Sequence, residues 1–219
     1  MIDWSQAIGD LFIGLLTSLQ LTAVSSVCGV ILGFLAALGV GAQAKILRWG
    51  VIILVEIGRG TPVVVMLHLV YYGLPQAGLT LDAIPAVWLA LALTTAAYSS
   101  EIIRAALDSV SHSQREAGRA LGMSRPQVLF DIVTPQAARV AAAPLLGFLV
   151  QMFQATSLAF ALSVPELLSQ AYDIGSRTFD YLSILSAAGI AYALVCLPAM
   201  SAVRSFEKRW APAPAASHI

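Results

Sequence analysis

Residues 11–44 contain no charged side chain, although Asp10 precedes this segment and Lys45 follows it. A helix needs about 20 mostly apolar residues to cross the hydrocarbon core of a bilayer, so the segment is long enough to do so. Of the 219 residues in the chain, 58% are hydrophobic and 11% are charged, whereas soluble domains carry roughly 25% charged residues. Because apolar runs of this length suit helices in lipid, the sequence predicts an all-α integral membrane fold.

Four further apolar segments follow, and together they predict five transmembrane helices. The expected spans cover residues 11–40, 50–74, 84–103, 140–162 and 181–203. Residues 1–210 would then form a single transmembrane domain. Residues 211–219 (APAPAASHI) are small and interrupted by proline, which predicts a disordered tail.

Lysine and arginine residues are concentrated on one side of these spans. Ten of the twelve lie in or beside the segments that follow spans 1, 3 and 5. They are Lys45, Arg48, Arg104, Arg115, Arg119, Arg125, Arg139, Arg204, Lys208 and Arg209. Because loops rich in these residues stay in the cytoplasm, we expect the N-terminus outside and the C-terminus inside. The long polar segment between helices 3 and 4, residues 112–135, is then cytoplasmic.

Capping signals divide this cytoplasmic segment into two short helices. Ser113, with Glu116 three residues later, has the pattern of a capping box, and Gly122 can end the first helix in a left-handed turn. Ser124 and Pro126 suit the start of a second helix.

Small residues on the first of these helices indicate close contact with another surface. Ala117 and Gly118 lie beside Glu116, so a partner could approach the backbone closely while the charge fixes its orientation. Pro135 ends the polar stretch. The pattern alone fits a docking surface and a connector helix lying on the membrane equally well.

Glu56 and Arg59 are charged residues within the second span, where charges are costly and mark function by default. At a spacing of three residues they share a helix face and can pair. Gly60 and Pro62 follow, which predicts a kinked helix, and irregular backbone at membrane depth must face protein or water. These four residues are candidates for a gate or hinge, and the other interpretation is a structural ion pair between helices.

A set of hydroxyl and amide side chains lies in the third and fourth spans. Its members are Thr94, Thr95, Tyr98, Gln154, Thr156 and Ser157. Such groups often bond back to their own helix or to a neighbouring helix. The alternative is that they line a path through the membrane and contact a polar substrate.

The chain shows no Cys/His spacing typical of a metal site and no catalytic constellation, so we predict no metal ligand and no catalytic residue. It also lacks the G-x-x-x-x-G-K-S/T phosphate loop that binds nucleotide phosphates. Any use of ATP must therefore belong to a partner.

The cytoplasmic segment EAGRALGMS…DIVTP resembles the EAA loop of ATP-binding-cassette importer permeases. Glu116, Ala117, Gly122 and Pro135 match that motif, and Gly118 replaces an alanine. Four further stretches resemble signatures of the polar amino-acid uptake subfamily, in the same order along the chain. They are GLLTSLQLT (14–22), RGTPVVVMLHLVYYGLP (59–75), AAYSSEIIRAAL (96–107) and QATSLAFALSVPEL (154–167).

This resemblance implies a type I importer transmembrane subunit in the bacterial cytoplasmic (inner) membrane. The expected partners are ATPase subunits that hold ATP and Mg²⁺, a second permease that is this chain or a homologue, and an extracytoplasmic substrate-binding protein. Neither a cofactor in this chain nor a nucleic-acid partner is expected. The residues expected to couple to the ATPase are Gln114, Glu116, Ala117, Gly118 and Gly122.

The resemblance also implies a polar amino acid, or a derivative of one, as the substrate. The family's K-D-T-S segment has lost both charges here, because Gln154 and Ala155 stand at the Lys and Asp positions. Three interpretations stay open. This subunit could bind substrate weakly, through Gln154, Thr156 and Ser157 alone, or it could pair with a different permease that carries the charged site. Alternatively, the substrate is a modified or less polar amino-acid derivative.

A self-sufficient secondary transporter or channel is the alternative function. It would call for buried acids that couple to protons or sodium, or for symmetry between the two halves of the chain. Five spans with few acids at mid-membrane favour the importer subunit.

Overall fold

The computed structural model describes residues 2–210, with side chains described to residue 208, and every element in this range is helical. The all-α prediction is therefore confirmed for this range, and the predicted tail at 211–219 lies outside the described residues. The helices are α1 (Trp4–Val40), α2 (Lys45–Gly60), α3 (Val63–His68), α4 (Ala83–Ser109), α5 (His112–Ala120), α6 (Arg125–Gln127), α7 (Thr134–Ala155), α8 (Leu167–Thr178) and α9 (Tyr181–Trp210). Tighter or wider helical turns extend three of them: π turns at Leu69–Gly73 and Val128–Val133, and 3₁₀ turns at Leu74–Ala77 and Thr156–Leu162.

Within the described residues, four helical segments are long and apolar enough to cross a membrane. They are Trp4–Val40, Ala83–Ser109, Arg125–Leu162 and Tyr181–Lys208, which contain predicted spans 1, 3, 4 and 5 and extend beyond them. Predicted span 2 is not one straight helix. It is a pair of helices, Lys45–Gly60 and Val63–Ala77, bent by 110°, and the pair makes a fifth span only if it is counted as one.

Close packing of α1 along α4 holds the centre of the bundle together. A Cβ atom added at Gly29 would lie 2.4 Å from the Cβ of Thr95, and one added at Gly33 would lie 2.0 Å from the Oγ of Ser99. These distances are far shorter than van der Waals contact, so both positions require glycine. Small residues spaced in this way let two helix backbones approach closely in lipid.

The second of the two predicted short helices begins where predicted, after Ser124, but it is not short. From Arg125 to Leu162 the helical backbone is continuous. The π turn before Pro135 explains how a proline fits inside it: the backbone N–H of Thr134 donates to the carbonyl of Leu129, five residues back. A wider turn of this kind moves the hydrogen-bond register, so the missing N–H of proline breaks no helix.

Helix α8 lies between predicted spans 4 and 5, where the sequence indicated only a connection. At twelve residues it is too short to cross a bilayer. Its apolar residues Leu167, Ala171 and Ile174 pack with Leu11 of α1 and Ile184 of α9 in one buried cluster. The helix therefore covers the end of the bundle where α1 begins and α9 begins.

Replacing Gly33 by valine tests the α1–α4 contact. The added side chain would meet Ser99 and the α4 backbone, and overpacking of this kind costs typically about 1–3 kcal/mol. We expect the melting temperature of the purified protein in detergent to fall by about 2–12 °C. Gly189→Val in α9 is the matched control, because a Cβ there meets nothing within 4 Å. Equal melting temperatures for the two variants would contradict the role given to this contact.

Candidate functional site

The first of the predicted short helices, α5, begins two residues earlier than the capping pattern predicted. Ser111 is its N-cap residue and Ser113 lies in the first turn, so the Ser113–Glu116 capping box is wrong. Instead, the carboxylate Oε1 of Glu116 lies 3.2 Å from the Nδ1 of His112, one helical turn earlier. The hydroxyl oxygens of Ser111 and Ser113 lie 3.2 Å apart at the start of the helix.

The end of α5 follows the prediction for Gly122. This residue has φ +80°, a left-handed conformation that glycine adopts without strain. Its N–H donates to the carbonyl of Arg119 at 2.9 Å, and the N–H of Met123 donates to the carbonyl of Gly118 at 3.1 Å. These two bonds form a Schellman motif. The chain therefore leaves α5 at a sharp and well-defined angle.

Ser124 starts the next helix, as predicted. Its backbone N–H and its hydroxyl both donate to the Oε1 of Gln127, each at 2.8 Å, and Pro126 occupies the first turn. The polar segment is thus an elbow: α5, a tight turn at Gly122, and the start of the long helix that contains α7.

Three contacts fix α5 to the rest of the chain. Gln136 of α7 donates to the Oε1 of Gln114 at 2.5 Å, and Arg115 donates to the carbonyl of Leu107 in the last turn of α4. Gly118 is buried against the π turn, where an added Cβ would lie 2.6 Å from Ile132. The small size of Gly118 therefore serves packing inside the chain.

The opposite side of α5 is open. Glu116, Ala117 and Gly122 are exposed, and the side chain of Leu121 is 83% exposed. We call Glu116, Ala117, Leu121 and Gly122 the exposed α5 surface. Sequence reasoning missed Leu121, although a leucine directly before a helix-ending glycine in a polar segment is a usable signal. An exposed leucine on a rigid support is suited to insert into a partner.

The break between α2 and α3 lies where glycine and proline predicted a kink. Helix α2 ends at Gly60, Thr61 is extended, and Pro62 precedes α3. A helix end leaves carbonyl groups without backbone partners, and the Tyr98 hydroxyl donates to one of them, the Arg59 carbonyl, at 3.1 Å. The Thr61 hydroxyl adds a second bond, of 2.7 Å, to the Ile57 carbonyl, which already accepts from the Thr61 N–H.

A row of ion pairs runs from this break along α4. Arg59 lies 3.3 Å from Glu56 on α2 and 3.5 Å from Glu101 on α4. Arg104 lies 2.8 Å from Glu101 and 3.3 Å from Asp108. We call these five residues the ion-pair ladder. The predicted Glu56–Arg59 pair is therefore present, and Glu101 joins it to α4 at the edge of a cleft of about 290 Å³.

The structure divides the polar set of the third and fourth spans into two groups. Thr94, Thr95 and Thr156 are fully buried. Thr94 donates to its own helix at Ala90, and Thr95 packs on Gly29 of α1. None of these three lines an open path in this conformation.

The other three members of the set are accessible. Tyr98 stacks on Phe148 of α7 with ring centroids 5.0 Å apart. Gln154 is exposed and its Nε2 lies 3.5 Å from the Sγ of Cys196. Ser157 is partly exposed and donates to the Gln154 carbonyl at 2.8 Å.

Sequence reasoning missed one buried acid, Glu166, which has no exposed surface. It is the N-cap residue of α8, and its carboxylate accepts from the backbone N–H groups of Leu168 and Ser169. The hydroxyl of Tyr192 donates to it at 2.9 Å. Burial raises the pKa of the Glu166 carboxyl, and hydrogen bonds from Leu168, Ser169 and Tyr192 oppose that rise. A single acid between Pro165 and an apolar run was the signal that could have found it.

Among the described residues, no group of three or more His, Cys, Asp or Glu side chains could hold a metal ion. The polar features are instead hydrogen-bonded helix ends and ion pairs. They are suited to position helices and to line a path.

Comparison with known proteins relates this arrangement to transport. The family model described as "Binding-protein-dependent transport system inner membrane component" matches residues 29–212. The L-cystine transport system permease protein TcyB of Bacillus subtilis is 36% identical over 184 residues, which cover 84% of this chain and 79% of that protein. The histidine/lysine/arginine/ornithine transport system permease protein HisM of Salmonella typhimurium is 33% identical over 212 residues, which cover 92% of this chain and 90% of that protein.

Solved structures agree in fold. One chain of the crystal structure of "an amino acid ABC transporter with histidines" superposes with a TM-score of 0.88 at 29% identity, covering 95% of this chain and 99% of that chain. A chain of the MetNI methionine ABC transporter superposes with a TM-score of 0.73 at 19% identity, covering 94% of this chain and 99% of that chain, which shows a shared fold alone. The sequence match spans the elbow, the ion-pair ladder and Glu166, and the chain therefore belongs to the family of binding-protein-dependent transport system inner membrane components.

Proposed function

We propose that this chain is the permease subunit of an ATP-driven importer and forms the translocation path for a polar amino acid or an amino-acid derivative. The observation that carries the proposal is the exposed α5 surface on a rigid elbow, in a chain without a phosphate loop of its own. The names of the relatives support the substrate class, since they are permease proteins for amino acids. The chain is a transport subunit of the inner membrane, and the ATPase is a separate subunit.

The charge pattern supports five crossings with the N-terminus outside. Lys45 and Arg48 favour a cytoplasmic start of α2, and the basic elbow favours a cytoplasmic end of α4. Helix α4 must then begin outside. The bent pair of helices, Lys45–Gly60 and Val63–Ala77, therefore has to carry the chain across the membrane as a broken span.

Movement of the ATPase subunits, which bind ATP and Mg²⁺, would enter at the exposed α5 surface. Arg115 ties α5 to the end of α4, and Gln114 and Gly118 tie it to the long helix. Packed elements shift as rigid bodies. A push on α5 would therefore move α4 and the helix that leads to Gln154 together.

The accessible polar residues support a path next to the α2–α3 break. Tyr98, Gln154 and Ser157 would line it, while Thr94, Thr95 and Thr156 support it from behind. Glu56, Arg59, Gly60 and Pro62 would form its gate or hinge, because charges at membrane depth face the protein interior or water. A second permease, the same chain or a homologue, would close the other side of the path, and a substrate-binding protein would deliver the substrate from outside.

Replacing Leu121 by glutamate tests the docking surface. An anchor that inserts into a partner contributes about 2 kcal/mol or more, which is about 30-fold in affinity. We expect the ATPase to be lost from the purified complex and transport into proteoliposomes to fall with it. Ile46→Glu, at another exposed apolar residue near the cytoplasmic side, is the control and should retain the ATPase. A complete, active complex with Leu121→Glu would disprove docking at this surface.

Single cysteines at Ser113 and Ser176, in a background without Cys28 and Cys196, test the orientation. Both serines are exposed. We expect a membrane-impermeant maleimide to label the cysteine at 176 in intact spheroplasts and the cysteine at 113 only after permeabilisation. The reverse pattern, or labelling of both from outside, would refute the five-span topology.

Tyr98→Phe tests the broken span. The variant loses the hydrogen bond to the Arg59 carbonyl, and a bond of this kind contributes about 0.5–1.5 kcal/mol. We expect the transport rate to fall about 2- to 10-fold while the complex still assembles. Tyr72→Phe is the control, since Tyr72 is exposed and contacts its neighbours through its ring. An unchanged rate for Tyr98→Phe would remove this bond from the mechanism.

A further inference from the structure

Three helices, α8, α9 and α1, meet at the Glu166 carboxylate or directly beside it. Its Oε1 accepts from the N–H of Ser169 at 2.7 Å, and its Oε2 accepts from the N–H of Leu168 at 2.9 Å and from the hydroxyl of Tyr192 at 2.9 Å. The next N–H in the chain, that of Leu167, donates to the hydroxyl of Ser18 on α1 at 3.3 Å. The start of α8 is thus held by side chains of α1 and α9.

Tyr192 connects this cluster to the end of α7. Its ring lies against that of Phe153, with centroids 5.4 Å apart, and Phe153 directly precedes Gln154. Thr156, in the 3₁₀ turn that follows, is fully buried and donates to the Phe153 carbonyl at 2.6 Å. A shift of Tyr192 would therefore change the packing directly behind the accessible part of the polar set.

The other side of α8 faces away from the bundle. Tyr172 is half-exposed and its ring contacts those of Phe160 and Tyr181. Phe179, the residue after the helix, has φ +61° and is 89% exposed. In the proposed topology this side faces outwards, where a soluble partner would arrive.

A carboxylate is an expensive way to cap a buried helix. Removing a charge from water costs several kcal/mol, and apolar residues of similar volume often give equal or greater stability. Buried charges are best attested where they fix one arrangement of packed elements against others. Through its two oxygens Glu166 joins the start of α8 to Tyr192 on α9, which is an arrangement of that kind.

We propose that Glu166 is a positioning residue that links the outward-facing helix α8, through Tyr192, to the end of α7 beside Gln154. Docking of the loaded substrate-binding protein on α8 is transmitted along this link to the path. The inference rests on the proposed importer function and names the residue through which the outer partner acts. Glu166 does not touch the substrate.

The experiment uses the whole complex with its ATPase and binding protein in proteoliposomes. Three quantities are measured: the yield of complex, the basal ATPase rate, and the stimulation of that rate by loaded binding protein. In Glu166→Gln, an NH₂ group replaces one of the two carboxylate oxygens. It cannot accept the hydrogen bonds that this oxygen accepts in the wild type, and its own N–H groups face those donors. We expect normal yield and basal rate, but stimulation reduced by about fivefold or more, the scale of a typical coupling between sites.

Tyr192→Phe removes only the donor hydroxyl, so the loss of stimulation should be smaller than in Glu166→Gln. Glu166→Asp keeps both acceptor oxygens and should retain part of the stimulation. Glu207→Gln, an exposed acid at the other end of α9, is the matched control and should behave as wild type.

Unchanged stimulation in Glu166→Gln overturns the inference. A parallel fall of yield, basal rate and stimulation in both variants also overturns it, since that is the result of a purely structural cap. If Glu166→Gln does not assemble, Tyr192→Phe decides by the same criteria. If the wild-type complex holds no ATPase at all, the proposed function itself fails, which is distinguishable from a failure at Glu166.

Discussion

Lipid cannot form hydrogen bonds with a peptide group, and this constraint explains where the chain is regular and where it is not. Along the four long helices the backbone bonds to itself. Between Gly60 and Val63 it cannot, and the hydroxyl of Tyr98 donates to the freed carbonyl of Arg59. A second helix therefore has to lie close to the break, and the ion-pair ladder fixes how close. The irregular backbone and the charges occur together because each needs the same neighbouring helix.

The same constraint operates at the end of the bundle that α8 covers. The 3₁₀ turn ends at Leu162, Ser163 adopts φ +55°, and α8 starts with N–H groups that require acceptors. Glu166 and Ser18 supply those acceptors. In both places a side chain stabilises a helix end inside a largely apolar protein, and in both places a neighbouring helix takes part. The helix breaks are thus the points at which separate helices become mechanically connected.

The features that could be predicted from the sequence are those set by local chemistry. Apolar run lengths indicated the long helices, Gly122 indicated its own left-handed turn, and Ser124 indicated a helix start. The capping box at Ser113 failed because Ser111 competes for the same helix start, and both serines have suitable side chains. Where two similar signals lie two residues apart, local pattern does not decide between them.

The remaining errors concern which neighbour a residue faces. Helix α4 has small and hydroxyl residues on several sides, so its sequence does not show that Thr94 and Thr95 turn inward while Tyr98 stays accessible. The sequence also does not show that Gly118 packs on Ile132, because Ile132 comes from a turn whose path depends on the π register. Glu166 escaped attention because its partner outside α8, Tyr192, is distant in sequence. Tertiary placement decides all three.

The unbroken helix from Arg125 to Leu162 has a consequence for how this chain can vary. Each residue in an α-helix adds about 1.5 Å of length and about 100° of rotation. Inserting or deleting one residue between the elbow and Gln154 would therefore turn every downstream side chain to a different face. Exchanges of one apolar residue for another along its lipid-facing side should be tolerated, whereas its length in residues can change only if another wide turn restores the phase.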